Sequence, residues 1–366
     1  MMNSLMDALL HTGYAMLDKG LIPDIILRPA IRTLCRQRIR EIEQGGLEAN
    51  HEAKMKWIER VQARASIADV THKANEQHYE VSTAFILSCT GTYAKYSCCL
   101  YPTGKESLDE AEILMLDSYC TKARLRDGMD ILDLGCGWGS LSLFMARKYP
   151  GSRITALSNS STQKQYIDTT ARAQGLTNVK VITGDVNTYD FESSTKFDRI
   201  MSIEMFEHMK NYKMLMAKIA SWLRPKAESS AEEALCFIQI FCHRSIPYHF
   251  EDGDGWMSDT FFSGGTMPSH DLLLYFQDDL TLLTSWYVNG RHYARTSEDW
   301  LKKQDQKSAK GLAELEQDAE RQGLGREHGR KMFYRFRVFF LTCAEFFAMN
   351  GGEEWGVGHY LFKRKD

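Results

Sequence analysis

From Met129 onward the chain alternates short apolar runs with longer amphipathic ones, the rhythm of βαβ units feeding a mostly parallel sheet. Met129 to Leu134, Arg153 to Leu157, Val179 to Thr183, Phe197 to Ile203 and Leu235 to Phe241 read as strands of an α/β domain. Helical spacing fills the gaps, as in Trp138 to Lys148 and Lys213 to Leu223. An insertion dense in His, Phe, Gly and Trp, at about 242–279, then breaks the alternation and reads as a substrate cover. Leu280 to Val288 resumes as a strand, Ser297 to Arg321 as an exposed charged helix, Lys331 to Met349 as an aromatic helix and Trp355 to Phe362 as a closing strand. Upstream, 1–69 is a helical extension and 70–127 a covering segment that includes Tyr79 and Tyr96.

The turn after the first strand is the most informative stretch. Ile131-Leu132-Asp133-Leu134 runs into Gly135-Cys136-Gly137-Trp138-Gly139 and then a helix. Glycine admits positive φ and close ligand approach, so this turn can seat a cofactor at a helix N-terminus. A dinucleotide fingerprint would need glycine where Ser140 stands, and its pyrophosphate has no counterpart in S-adenosylmethionine. Polar residues fall at the ends of the next strands, where open α/β sheets bind ligands: Asn159 and Gln163 after the second, Asp185 and Val186 after the third. Asp185 is expected to accept from an adenine amino group, and Asn159 and Gln163 to bind ribose hydroxyls. An acid commonly follows the second strand in such enzymes; here an amide does.

The fourth strand ends in Ile203-Glu204-Met205-Phe206-Glu207-His208. A helical turn beginning there would put Glu204, Glu207 and His208 on one face at i, i+3 and i+4. Methyl transfer to an amine needs a free lone pair, so a base beside the donor is chemically apt, and histidine serves near neutral pH. Carboxylates also complement an ammonium and a sulfonium. Acids early in a helix also complement its macrodipole without any catalytic role.

Composition closes off other classes. Apolar residues are 43% and charged residues 25% of 366, the balance of a folded globular chain. A formal charge of −3 offers no broad attraction for nucleic acid or anionic membrane. Nine cysteines without a CxxC pair indicate neither a disulfide framework nor a zinc site, so no metal is expected and the thiols read as reduced and cytoplasmic. No apolar run reaches bilayer length, and no basic amphipathic helix predicts stable membrane association. The sequence leaves a homodimer open.

Leu132 to Gly139, Tyr96-Ser97-Cys98 and Phe206-Glu207-His208 together resemble the cyclopropane-fatty-acid synthase superfamily of methyltransferases. Within it, Glu204 to Tyr212 (EMFEHMKNY), Phe241-Cys242-His243, Tyr248 to Asp252, Gly264 to Ser269, Leu273 to Asp279, Asn289 to Ala294 and Gly351 to Trp355 look like plant coclaurine N-methyltransferases. The likeness spans roughly 71–363. It implies a class I S-adenosylmethionine-dependent methyltransferase fold, seven strands with the last antiparallel, yielding S-adenosylhomocysteine and an N-methylated alkaloid of tetrahydroisoquinoline type. It further implies cofactor contacts from Ser97, Gly135, Gly137, Asn159, Gln163, Asp185 and Val186, and a catalytic pair Glu207 and His208 beside Glu204. Tyr79, His243, Tyr293 and Phe336 are the expected substrate contacts. The family's Tyr-Trp pair before an Arg is replaced here by Arg335-Phe336 before Arg337, which would reshape an alkaloid pocket.

Two further readings come from the same resemblance. Cyclopropane synthases hold bicarbonate to deprotonate a carbocation, and Cys98, Glu207, His243 and Tyr293 match that set in type, with Cys343 at the family's cysteine position. Methylation of an unsaturated phospholipid acyl chain is therefore the first alternative. The second is cofactor binding without catalysis, which the presence of both Glu207 and His208 argues against. For Cys98 and Cys343 a small buried apolar role competes.

Overall fold

The computed structural model describes residues 12–68, 82–226, 233–250, 260–262 and 264–365. Seven strands form one sheet: β1 (Asp130–Leu134), β2 (Arg153–Ser158), β3 (Val179–Thr183), β4 (Arg199–Ile203), β5 (Leu235–His243), β8 (Leu280–Val288) and β9 (Trp355–Arg364). Their order is β3-β2-β1-β4-β5-β9-β8, and β9 alone runs antiparallel to its neighbours. The seven predicted runs all become strands of this sheet. β5 is buried along all nine residues, as a central strand covered on both faces must be. Edge strand β8 instead alternates between sheltered and exposed positions. A small hairpin, β6 (Tyr248–His249) with β7 (Thr266–Met267), lies inside the insertion, whose residues 251–259 and 263 fall outside the described set.

Helices among the described residues include α1 (Asp24–Ile42), α2 (Leu47–Gln62), α3 (Thr83–Cys89), α4 (Leu108–Lys122), α5 (Ser140–Lys148), α6 (Ser161–Ala173), α7 (Tyr212–Trp222), α8 (Arg291–Gln306), α9 (Ser308–Arg321) and α10 (Arg326–Phe347). Local chemistry starts several of them. Ser107 and Glu110 form a reciprocal capping box on α4, Ser160 caps α6 and Asn211 caps α7. Asn211 also donates to the carbonyls of Gln62 and Arg64, tying the end of α2 to the main domain.

One expectation fails here. The single exposed helix over Ser297 to Arg321 is two helices broken at Lys307, and α8 buries Tyr293, Trp300 and Leu301. Its charged residues lie on one face only, so composition hid an apolar stripe. At the replaced Tyr-Trp motif the side chains meet other parts of the protein. Arg335 forms a forked pair with Asp18 at 2.6 and 3.1 Å, and Arg337 pairs with Asp24 and Asp305. The N-terminal extension is held on α10 by these pairs and by Arg28 and Arg32 on Glu345.

Phe336 itself is buried among Phe85, Phe261 and Phe340 at ring separations of 5.3, 5.1 and 6.2 Å. Each such ring contributes about 1.5–3 kcal/mol through burial. At the β8–α8 turn, a Cβ on Gly290 would lie 2.0 Å from the Trp355 carbonyl oxygen and 2.5 Å from that of Phe347. Backbone cannot yield as a side chain would, so Gly290→Ala is expected to cost about 3 kcal/mol, read as a lower melting temperature. A melt within 1 °C of the parent would refute that constraint.

Candidate active site

The turn after β1 shows why three glycines alternate. Gly135, Gly137 and Gly139 have φ of 80°, 52° and 75°. A Cβ on Gly135 would strike Met205 and one on Gly139 would strike Ile167, each at 2.6 Å, so these two serve close packing. A Cβ on Gly137 would meet nothing within 4 Å. Gly137 therefore faces open space at the mouth of the sheet. The turn is fixed by the amides of Gly135 and Cys136, which both donate to Leu157 O.

Gln163 is buried; its Oε1 accepts from Ser158 Oγ at 2.6 Å while its Nε2 has no partner among the described residues. A buried amide donor left over beside an open glycine cradle suits a ligand that brings its own acceptors, as a ribose and an adenine do. Asp185 also shows the loop-capping role, with Oδ1 accepting from Asn187 N at 2.8 Å. Val186 is buried in the core next to it, and Ser97 accepts from Lys95 Nζ at 2.5 Å.

Beyond β4 the chain does not begin an α-helix. Phe206–His208 is one turn of 3₁₀ helix, and Glu204 sits in the left-handed region with φ of 50°. The expected shared helix face is thus replaced by a kink, a conformation costing about 1–3 kcal/mol and typical of functional sites. The kink delivers the Glu204 carboxylate to a ring of donors. Cys98 N at 3.0 Å and Gln239 Nε2 at 2.8 Å donate to Oε1, and Tyr293 Oη at 2.6 Å donates to Oε2.

Glu207 is buried in the opposite circumstance: its Oε2 has no partner among the described residues. Burial raises both carboxyls, but that of Glu204 is opposed by the Lys95 charge and the three hydrogen bonds. Glu207 has little such relief and is pushed well above the usual carboxylate range by burial and by the Glu204 charge. The two environments differ in one direction: three donors and the Lys95 charge favour the anion at Glu204, and nothing comparable favours it at Glu207. His208 is half-buried, its ring 5.3 Å from Phe262, which in turn packs on Phe241 and Phe250.

Other expected residues take different places. His243 is not available as a ligand contact: Nε2 meets Glu354 Oε1 at 3.0 Å, and Nδ1 accepts from the amides of Ser245 and Ile246. Cys98 and Tyr293 gather on Glu204. Cys98 and Cys343 have thiols raised by burial, which makes them inert. Phe336 is core, as above, and Tyr79 lies outside the described residues. Asn159 is exposed at the end of β2, within the same strand-end cluster.

Three further residues belong to the site, two of them without any hint in composition or motif. Buried Lys95 donates to Ser97 Oγ and to Cys98 O at 2.6 Å, with its ammonium 5.1 Å from the Tyr119 ring. Glu112 on α4 accepts from the amides of Gly91, Tyr93 and Lys95, shaping the loop that presents Ser97 and Cys98. Gln239 is the third, and as a lone amide in the apolar run LCFIQIFCH it was the one detectable signal. Among the described residues no group of three His, Cys, Asp or Glu is placed to hold a metal ion, and no helix is long and apolar enough to cross a membrane.

The profile of the mycolic acid cyclopropane synthetase family matches residues 68–350. An (S)-coclaurine N-methyltransferase of Thalictrum flavum subsp. glaucum is 37% identical over 95% of this chain and 94% of its own length. The crystal structure of a coclaurine N-methyltransferase bound to N-methylheliamine and SAH superposes with a TM-score of 0.90 at 34% identity, covering 97% of this chain and all of that one. Mycolic acid cyclopropane synthase CmaA1, at 21% identity and a TM-score of 0.65 over 80% of this chain and 98% of its own, shares the fold. Likeness at this level, running through the N-terminal helices as well as the sheet, means that the chain belongs to the mycolic acid cyclopropane synthetase family as an S-adenosylmethionine-dependent methyltransferase of the coclaurine N-methyltransferase kind.

Proposed function

We propose that this enzyme methylates the nitrogen of a small aromatic amine of tetrahydroisoquinoline type. The observation that carries the reading is the pair Glu204 and Glu207 beside His208 and a group of phenylalanines, with three donors on Glu204 and none on Glu207 Oε2 among the described residues. Gly135, Gly137, Gln163, Asp185, Asn159, Ser97 and Val186 would hold S-adenosylmethionine, which when bound supplies an electrophilic methyl group on a sulfonium. The protein's own residues manage charge and proton. An amine arriving as its ammonium is drawn by the Glu204 carboxylate and gives its proton to the His208 imidazole, exposing the lone pair. Neutral Glu207 can accept an amine N–H through its carbonyl oxygen without adding a second negative charge. Glu204 would stabilise the positive charge that methylation leaves on nitrogen. Phe241, Phe250 and Phe262 offer ring faces to a flat cation.

Acyl-chain cyclopropanation is the weaker reading, because His243 is already committed to Glu354 and the backbone. Turnover of labelled S-adenosylmethionine against tetrahydroisoquinolines, arylethylamines and unsaturated phospholipids separates the two. N-methylation and cyclopropanation add the same mass, so NMR must locate the carbon; N–CH3 is expected, and a ring methylene would overturn the reading. The double variant Glu207→Ala, His208→Ala is expected to lose about a hundredfold or more in kcat. Undiminished amine turnover in that variant would remove the pair from the mechanism.

A further inference from the structure

A row of polar side chains crosses the sheet from the end of β4. Ile203 registers with Gln239 across β4 and β5, Gln239 with His359 across β5 and β9, and His359 with Trp286 across β9 and β8. Gln239 and His359 are fully buried in an otherwise apolar layer. Glu204, next after Ile203, accepts from Gln239 Nε2 at 2.8 Å. Gln239 Oε1 meets His359 Nε2 at 2.7 Å, and His359 Nδ1 meets Lys122 Nζ at 2.6 Å. Lys122 is the last residue of α4, half-buried, with its ammonium 5.1 Å from the Trp286 ring.

Donor and acceptor rules give this row one direction. An ammonium has donors and no acceptor, so Lys122 must donate and His359 Nδ1 must accept. Burial and the charges of Lys122 and Lys95 push the His359 imidazole well below its ordinary value, so the ring is neutral and its one proton lies on Nε2. That proton faces Gln239 Oε1, which turns the amide so that its NH2 faces Glu204. Reversing any link would set donor against donor or acceptor against acceptor inside the core.

We propose that Lys122, through His359 and Gln239, is a positioning residue that locks the amide of Gln239 as a donor and so holds Glu204 in its ionised form. This rests on the reading of Glu204 as the charged carboxylate of the methyl-transfer site. An amide in the row does not pass protons readily, so the role is orientation and not proton conduction. Other groups around Glu204 are Lys95 and Cys98 before α4, Tyr119 on α4, Glu207 after β4, Tyr293 on α8 and Cys343 on α10. Tyr119 meets the Gln239 side chain through a hydroxyl that can donate or accept, so it does not set the direction of the amide. Burial lowers Lys122 to about 8, so it remains an ammonium at neutral pH.

Removing the ammonium frees the row to reverse. His359 can then carry its proton on Nδ1, the amide can turn, and its oxygen would face Glu204, favouring the protonated acid. In Lys122→Met, infrared difference spectra against pH, with the Glu204 carboxyl band assigned by its loss in E204Q, are expected to show Glu204 protonating at higher pH than in the parent. Lys122→Arg, which keeps a donor-only cation, is expected to restore the parental midpoint. Amine turnover at neutral pH is expected to fall about three- to tenfold in K122M, with SAH affinity unchanged. An unchanged midpoint in K122M, or equal behaviour of K122M and K122R, would overturn the inference. In the parent itself, 15N NMR of labelled histidine reads the His359 tautomer directly. An Nδ1–H ring there overturns the lock whether or not K122M folds. If the parent methylates no amine while the infrared midpoint still moves, the proposed substrate fails and the lock stands.

Discussion

Glu204→Gln is expected to lower kcat by about two to three orders of magnitude while leaving the fold intact. The carboxylate receives Cys98 N, Gln239 Nε2 and Tyr293 Oη, so it is built to be an anion. An amide at this position can keep its oxygen on Cys98 N and Gln239 Nε2 and turn its NH2 to the Tyr293 hydroxyl, which can accept. The exchange thus removes the charge while keeping the shape and the hydrogen bonds. The pH profile carries the sign. Burial raises Glu204 above the ordinary carboxylate range, so activity that needs the anion is present above its folded pKa and is lost as pH falls through it. In E204Q that acid limb should vanish. Activity within twofold of the parent, with the limb retained, would show that Glu204 is not the charge on which the reaction depends.

Gly137→Val is expected to weaken S-adenosylmethionine binding about a hundredfold or more, measured by titration calorimetry. Two effects combine: a β-branched residue at φ of 52° is strained by about 1–2 kcal/mol, and its side chain enters the open space that the cradle leaves. Gly175→Val separates them. Gly175 has φ of 67° and equally open surroundings, but it lies in the turn after α6, near the opposite end of β3 from Asp185. Both variants should lose comparable stability, and only G137V should lose affinity. Equal affinity in the two would place the cofactor elsewhere.

Much of the sheet could be read from period alone. β5 was visible because nine consecutive buried positions leave a continuous apolar run, and β1 because its glycines end it abruptly. The split of α8 from α9 was not visible, since Lys307 is compatible with a helix and the break is set by packing, with Gly311 lying against Phe85 and Phe333. The site shows the same division. Glu204, Glu207 and His208 were legible as a cluster, but the assumed helix geometry failed because the chain kinks at Glu204. His243 and Phe336 looked chemical by type and motif; their partners Glu354 and Phe261 make them a turn anchor and core.

The sequence by itself determined the parallel sheet, the glycine turn and the family, because these follow from local periodicity and from positions where only glycine tolerates positive φ. Tertiary structure alone decided which carboxyl receives the hydrogen-bond donors. Cys98 and Tyr293 lie 106 and 89 residues from Glu204, and Lys122 lies 237 from His359. The ionisation of a buried group is the sum of burial and of the donors brought to it, and in this fold those donors arrive from a loop, a strand and a helix distant in sequence.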